Sequence, residues 1–220
     1  MPYITIRDYG EDSFEEKKSE FIGYAKRVET EDEAKEFVAS IKAKHKQARH
    51  NCYAYVVGEN MNIQRYSDDG EPQGTAGVPI LEVMKKSGIT DCCVVVTRYF
   101  GGILLGTGGL TRAYKKGASI AITKAGIIEK VKGIKLSVKI EYDLLGKVQY
   151  LCTQNNWYIE NTQYSDNVCF YINCEKEMVD RIEKEICNCT NGKAEMSKSD
   201  EGNYFKEENR LFKEIDNVHV

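Results

Sequence analysis

The first half of the chain alternates between two hydrophobic patterns. Stretches rich in β-branched and aromatic residues are followed by stretches whose apolar residues recur every three to four positions. The former pattern predicts strands and the latter predicts amphipathic helices. The expected strands cover residues 3–6, 14–19, 21–28, 52–57, 62–67 and 92–97, and the expected helices cover about 31–46, 76–86 and 109–124. The strand at 92–97 is apolar almost throughout, which is typical of a strand buried on both faces.

Two of the predicted helices begin beside a threonine. Thr30 precedes an acidic turn, and acidic residues are common in the first turn of a helix. Thr75 is expected to cap the helix at 76–86 with its hydroxyl oxygen. Pro79 lies in the first turn of that helix, where proline is tolerated.

The second half of the chain follows the element order of a common α+β unit. Its pattern predicts strands at 133–142, 157–163, 168–174 and 193–199, with helices at 143–155 and 176–188. This βαββαβ order is that of the ferredoxin-like fold. Trp157 is expected to open a central strand, and the charged residues after Asp200 are expected to be an irregular extension. Because the boundary falls at about 125–132, we predict domains spanning 1–130 and 131–220.

Composition and charge exclude several classes of protein. Apolar residues make up 41% of the chain, enough for a core in each half, and no apolar stretch approaches the roughly 20 residues of a membrane helix. The first residues do not have the pattern of a signal peptide, so we expect a cytoplasmic protein whose eight cysteines stay reduced. The net charge of −3 argues against an indiscriminate polyanion binder, although a local basic patch is compatible with it.

An acidic loop over residues 67–77 is the first candidate for function. Asp68, Asp69 and Glu71 place three carboxylates within four positions, among glycines that allow sharp turns. These carboxylates could coordinate Mg²⁺ or Ca²⁺, or clamp a basic group of a partner. Alternatively, they complement the dipole of the helix that follows. We favour a contact with a ligand or partner over a metal site.

A glycine-rich segment over residues 98–112 is the second candidate. The N–H groups at the start of its helix favour an anion, and Arg98 and Arg112 can hold a phosphate or carboxylate with two hydrogen bonds each. Alternatively, the glycines only permit close packing and both arginines pair with the acidic loop. Its aromatic residues could stack on nucleobases. The candidate residues of this segment are Arg98, Tyr99, Gly101, Gly102, Gly108, Gly109, Arg112 and Tyr114.

Stricter catalytic motifs are missing from the sequence. It contains no P-loop pattern, no complete Rossmann glycine pattern, no His-Glu-x-x-His and no Cys-x-x-Cys. His50 and Cys52 could form a nucleophile pair, but side chains two positions apart on a strand are not aimed at each other. A structural His50, hydrogen-bonded to the acidic loop, is the preferred interpretation. The sequence therefore predicts no catalytic residue and no cofactor.

Several of these segments together resemble the signature of the IMPACT/YigZ family. They are residues 18–22, 49–55, 67–77, 97–102 and 105–114. The motifs are long and specific, unlike a single glycine pattern. The resemblance is strong over about residues 15–125 and weaker over the C-terminal half.

The resemblance implies both a fold and a class of partner. It implies an α+β protein with an N-terminal domain similar to ribosomal protein S5 domain 2, followed by the ferredoxin-like domain, as in the last two domains of elongation factor G. It also implies a translation-associated regulator rather than an enzyme, with RNA, the ribosome or a translation factor as partner. On this hypothesis the contact surface consists of His50, Asp68, Asp69, Glu71, Arg98, Tyr99, Gly101, Gly102, Gly108, Gly109, Arg112 and Tyr114.

Two alternatives stay open at this point. The protein could be an enzyme or sensor that binds a metal at the acidic loop and a small phosphorylated ligand at the glycine-rich segment. It could instead be an adaptor whose acidic C-terminal sheet docks a basic protein without nucleic acid. The sequence does not predict the oligomeric state.

Overall fold

The computed structural model describes residues 2–213, and its chain divides into two units. The first unit spans Tyr3–Ile128 and the second begins at Glu129. Each unit contains a sheet together with helices, so the predicted two-domain α+β fold class is confirmed. Within the described residues, no helix has both the length and the apolar composition that crossing a membrane requires.

The first unit is built on an antiparallel sheet. The five strands of this sheet are β2 (Gly10–Glu16), β3 (Ser19–Arg27), β4 (His50–Val57), β5 (Ile63–Ser67) and β6 (Cys92–Tyr99), whereas β1 (Tyr3–Ile6) is not part of it. Its helices are α1 (Glu31–Lys44), α2 (Gly77–Lys86) and α3 (Gly106–Ala125). The sheet order is β2-β3-β6-β4-β5, with each neighbouring pair antiparallel. This order places β6 in the middle and brings the ends of β3, β4 and β6 together.

The strand β6 is buried on both of its faces, as its apolar sequence predicts. Cys93 and Val95 pack in a cluster with residues of α1. Val94 and Val96, which point to the opposite face, pack with residues of α2 and α3. The sheet is therefore covered by α1 on one side and by α2 and α3 on the other.

Threonine caps one of the two helices that were predicted to begin beside a threonine, α1, and not the other, α2. The hydroxyl of Thr30 accepts a hydrogen bond from the N–H of Glu33 at 3.2 Å, so Thr30 caps α1. The expected cap at Thr75 is wrong. Its hydroxyl donates to the carbonyl oxygen of Pro72 at 2.6 Å, within the preceding turn, and does not cap α2. The carboxylate of Asp68 caps α2 instead.

The second unit has the element order predicted for a ferredoxin-like domain. Its strands are β7 (Ile127–Ile140), β8 (Ile159–Tyr164), β9 (Val168–Glu175), β10 (Glu195–Lys198), β11 (Gly202–Glu207) and β12 (Arg210–Phe212). Its helices are α4 (Leu145–Gln154) and α5 (Val179–Cys189), each entered through a short 3₁₀ turn. The sheet order β10-β7-β9-β8 is the one that a βαββαβ chain with both helices on one face produces.

Two predictions about this unit are wrong. Trp157 precedes β8, which pairs with β9 and with no second strand in residues 2–213, so β8 is an edge strand rather than a central one. The stretch from Gly202 to Phe212 is not irregular, because β11 and β12 form a hairpin that pairs with the first half of β7. The rest of the expected extension, residues 214–220, lies outside the described residues. Tyr204 and Leu211 of this hairpin are buried, and their burial accounts for its order despite the charged neighbours.

Candidate functional site

A buried ion pair joins the acidic loop to the glycine-rich segment. The Nη1 atom of Arg98 lies 2.7 Å from Oε1 of Glu71, and the hydroxyl of Tyr114 donates to the same oxygen at 2.8 Å. Arg98 is 5% exposed, Glu71 is 9% exposed and Tyr114 is fully buried. Burial raises the pKa of the Tyr114 hydroxyl, which keeps it protonated as a donor. The pairing of Arg98 with the acidic loop is therefore a structural contact inside the unit.

The guanidinium of Arg98 is held on all sides by the end of the sheet. Its Nη2 donates to the hydroxyl of Ser19 at 3.3 Å, and its Cζ atom lies 5.5 Å from the ring centroid of Phe21 and 5.4 Å from that of Phe100. Its Nε has no hydrogen-bond partner among the described residues. Because Arg98 is so deeply enclosed, it is not available to a macromolecular partner, contrary to the contact surface inferred from the sequence.

Asp68 organises the acidic loop from within. Its carboxylate accepts hydrogen bonds from the backbone N–H groups of Gly74, Ala76 and Gly77 at 2.8–3.0 Å. These bonds close the loop and satisfy the first donors of α2, which is the role predicted for Thr75. Both oxygens of Asp68 are thereby used.

Asp69 ties the same loop to α1 and to β4. Its carboxylate lies 2.6 Å from Nζ of Lys42 and accepts from the N–H of Asn51 at 2.7 Å. Its carbonyl oxygen lies 3.0 Å from Nδ1 of His50. Because a carbonyl oxygen only accepts, Nδ1 of His50 must carry the proton, and the predicted hydrogen bond between His50 and the acidic loop is confirmed.

The other chemistry considered for this loop does not match its geometry. Cys52 is fully buried, its thiol donates to the carbonyl oxygen of Asp68 at 2.9 Å, and burial raises its pKa, so it is not a nucleophile paired with His50. The carboxylates of Asp68, Asp69 and Glu71 each face N–H, ammonium, guanidinium or hydroxyl donors. Within residues 2–213, no three His, Cys, Asp or Glu side chains converge in a way that could hold a metal ion.

The glycines of the second segment serve two different purposes. A Cβ at Gly101 would overlap the carbonyl oxygen of Lys18, so this glycine lets the loop pack on the turn between β2 and β3. Gly102 has φ +84° and is exposed, which suits a residue without a side chain. Gly108 and Gly109 lie in the first turn of α3, where no side chain of the described residues caps the helix. The N–H group of Gly108 is consequently open to a ligand, whereas that of Gly109 is the first to bond within the helix.

The exposed end of this segment contains a cavity that we call the α3 cavity. It has a volume of about 210 Å³ and is lined by Phe14, Glu16, Lys17, Leu105, Gly109, Arg112, Ala113 and Lys116. Arg112 is exposed, and the ammonium of Lys116 lies 4.2 Å from the ring centroid of Phe14. Lys17, Arg112 and Lys116 have no ion-pair partner among the described residues. Sequence reasoning included Arg112 but missed Lys17, because the predicted strand over 14–19 is wrong: β2 ends at Glu16, and Lys17 and Lys18 form the turn to β3.

Tyr99 does not join this group. Neighbouring residues on a strand point to opposite faces, so Arg98 faces Glu71 whereas Tyr99 faces α1. The hydroxyl of Tyr99 lies 2.8 Å from Nδ1 of His45, and burial lowers the pKa of that histidine. The expected stacking surface of Tyr99 with Tyr114 is therefore wrong, while Phe100, 47% exposed, lies at the surface of the loop.

Two family models match the chain, one in each unit. A model described as the Impact N-terminal domain matches residues 17–122, and a domain of unknown function (DUF1949) matches residues 138–193. The first match includes the acidic loop, the ion pair of Arg98 and the residues of the α3 cavity other than Phe14 and Glu16.

Similar proteins extend over most of the chain. IMPACT family member YvyE of Bacillus subtilis (strain 168) is 42% identical over 198 residues, which cover 90% of this chain and 91% of that protein. IMPACT family member YigZ of Escherichia coli (strain K12) is 35% identical, with 82% and 89% covered. Protein IMPACT homolog of Dictyostelium discoideum is 38% identical over 102 residues, 44% of this chain and 29% of that protein. A crystal structure of a hypothetical protein, 32% identical, superposes with a TM-score of 0.58 over 89% of this chain and 96% of that one.

Proposed function

This chain belongs to the IMPACT family, and we propose that it is a translation-associated protein that binds RNA on the ribosome through the α3 cavity. The observation that carries the proposal is the convergence of Lys17, Arg112 and Lys116 on one cavity, where they outnumber the single carboxylate, Glu16, and form no ion pair within the described residues. Like charges brought together repel each other, and an anionic ligand relieves that repulsion. The phosphates of RNA supply such anions in a regular row.

Each part of the surface has a distinct role in this proposal. Arg112 grips a phosphate with two hydrogen bonds, and the N–H group of Gly108 donates to a second phosphate at the start of α3. Phe100 and Leu104 are 47% and 81% exposed and supply apolar surface on which a base can stack. Arg98, Glu71 and Tyr114 take no direct part and hold the two loops in place.

The acidic net charge of the chain is compatible with this proposal. Binding that depends on one cationic cavity, in a chain of net charge −3, is local and selective rather than indiscriminate. Affinity should then fall with salt, with a slope set by the few phosphates that the cavity contacts.

Sedimentation with purified ribosomal subunits across a salt series tests the proposal. Arg112→Glu should abolish one phosphate contact, so that affinity falls and the slope of log K against log salt decreases by about 0.7–0.9. Lys124→Glu is the matched control, because it makes a like charge change at an exposed position in the last turn of the same helix. Equal binding of both variants and the unaltered chain would contradict the proposal.

The concave shape and the three cationic side chains of the α3 cavity favour a second candidate function, the binding of a small phosphorylated ligand. A cavity of about 210 Å³ with three cationic side chains has room for a phosphate group. Thermal unfolding with a panel of nucleotides and sugar phosphates tests this candidate, since a ligand at 100 times its Kd stabilises the native state by about 2.7 kcal/mol. A shift that disappears in Arg112→Glu, together with unchanged ribosome binding, would favour this candidate over the first.

A further inference from the structure

The second unit carries a concave site on the sheet face that its helices do not cover. Leu136, Val138 and Phe170 point toward α4 and α5 and form the core. Because side chains alternate along a strand, Lys135 and Tyr171 point to the opposite face, where Lys135 is exposed and Tyr171 is half-buried. The β11–β12 hairpin, which the sequence did not predict, forms one wall of this site.

The cavity between the sheet and the hairpin has a volume of about 400 Å³. We call it the sheet cavity, and the residues that matter for its chemistry are Lys135, Asn161, Tyr171, Asn173, Phe212 and Lys213. Aromatic rings, amides and cations are thus combined in one concave site. This combination differs from the α3 cavity, which has a single aromatic residue and no amide.

Tyr171 is placed as a platform on a central strand. Its hydroxyl donates to Oε1 of Gln163 on the neighbouring strand at 3.1 Å, which fixes the orientation of the ring. The ammonium of Lys135 lies 4.0 Å from the centroid of the ring. Because this ammonium lies over the ring, a base that stacks on Tyr171 takes its place there and the ammonium moves to the attached phosphate.

The charges at the sheet cavity are unbalanced in favour of cations. Arg210 is paired with Glu160 through two hydrogen bonds of 2.9 and 3.1 Å, so these two lining residues neutralise each other. Lys135 and Lys213 form no ion pair within the described residues. The site is therefore positive although the C-terminal half of the sequence is acidic.

Amide groups complete the chemistry expected of a nucleotide site. Asn173 donates its Nδ2–H to the carbonyl oxygen of Leu211 at 2.9 Å, which anchors the hairpin to the sheet and leaves the side-chain carbonyl as an acceptor. Asn161 lies opposite Tyr171 on β8 and is exposed. Side-chain amides can both donate to and accept from the edge of a base.

We propose that the sheet cavity binds one nucleotide of single-stranded RNA, with its base stacked on Tyr171 and its phosphate held by Lys135 and Lys213. In choosing RNA as the source of the nucleotide, the inference rests on the proposed function. The site itself is independent of the α3 cavity, because every residue that forms it lies in the second unit.

Binding of fluorescent octamers of RNA to the full chain tests this inference by anisotropy. Tyr171→Ala should weaken binding by about five- to a hundred-fold, the loss of one stacked base, whereas Tyr171→Phe keeps the ring and should stay within about two-fold. Tyr164→Ala is the matched control, because Tyr164 is a 62% exposed tyrosine on β8 that does not line the cavity. Circular dichroism and thermal unfolding of each variant establish that the fold is intact.

Photo-cross-linking with an octamer that contains 4-thiouridine locates the contact directly. The expected cross-link lies in the peptide around Tyr171, and it should persist in Arg112→Glu even if that variant no longer binds ribosomal subunits. Cross-links confined to the first unit, with Tyr171→Ala binding normally, would overturn this inference and leave the proposed function standing. Saturation by mononucleotides at the affinity of the octamer would also overturn it, because the ligand would then be a free nucleotide.

Discussion

The buried pair of Arg98 and Glu71 is expected to be one of the main supports of the first unit, and Arg98→Met tests this expectation. The two side chains are 6% and 4% exposed, so water screens their charges very little. Methionine removes the guanidinium and leaves the carboxylate of Glu71 buried with Tyr114 as its hydroxyl donor. Breaking a buried ion pair from one side costs about 3–5 kcal/mol. Because one hydrogen bond to the carboxylate survives, we expect a loss of about 3 kcal/mol.

Urea unfolding followed by circular dichroism measures this loss. With a slope of roughly 1–3 kcal/mol per molar urea, the midpoint of Arg98→Met should fall by about 1 M or more. Arg112→Met is the control, because it removes a guanidinium from the same unit at an exposed position and should change stability by less than about 0.5 kcal/mol.

A second variant separates the loss of charge balance from the loss of packing. Adding Glu71→Gln to Arg98→Met removes the uncompensated charge while keeping an oxygen that accepts from Tyr114. Neutral replacements of a buried pair are often well tolerated, so the double variant should regain much of the lost stability. A loss below about 1 kcal/mol in Arg98→Met, or a double variant less stable than the single one, would refute the electrostatic reasoning.

Three further predictions follow from the geometry of the same unit. Gly101→Ala should destabilise the protein by about 1–3 kcal/mol, because its Cβ has no room beside Lys18, and an unchanged urea midpoint would contradict this. Asp68→Ala should cost about 1–2 kcal/mol through loss of the α2 cap, whereas Thr75→Val should cost less; the reverse order would restore Thr75 as the cap. Because burial lowers the pKa of His45, the unfolded chain binds its proton first, so stability is full above about pH 6.5 and falls as the pH decreases below it. His45→Gln should reduce that pH dependence in urea titrations between pH 7.5 and 5.5, and identical slopes would contradict the assignment.

The acidic loop illustrates how far the sequence leads and where it stops. Carboxylates beside a helix start, and arginines at the end of a buried strand, are visible in the sequence, and their pairing was one of the alternatives it offered. The choice of partners was not visible, because it depends on which residues the strand register places face to face. His50 lies opposite Arg98 on the neighbouring strand, and this register brings Glu71 within reach of Arg98 and not of Arg112.

The α3 cavity and the sheet cavity both combine residues that are far apart in the chain. Lys17 meets Arg112 because the β2–β3 turn packs on the glycine-rich segment. Lys213 reaches the site of Tyr171 because the β11–β12 hairpin folds back onto β7. Neither contact produces a local pattern in the sequence, so no periodicity could have predicted it.

Periodicity and composition alone determined the two-domain α+β class, the doubly buried strand β6 and the βαββαβ order, because each depends on whether an element can bury its apolar face. Local signals did not identify the helix cap where two side chains can accept from the same backbone N–H groups, as Thr75 and Asp68 can at the start of α2. Only the tertiary structure decided which charges are buried and which are exposed. Arg98 and Arg112 are equal as residues in the sequence, but one is enclosed against Glu71 and the other is open to a partner. The reason is that burial of a charge depends on a partner brought close by the fold, and that partner lies dozens of positions away in the chain.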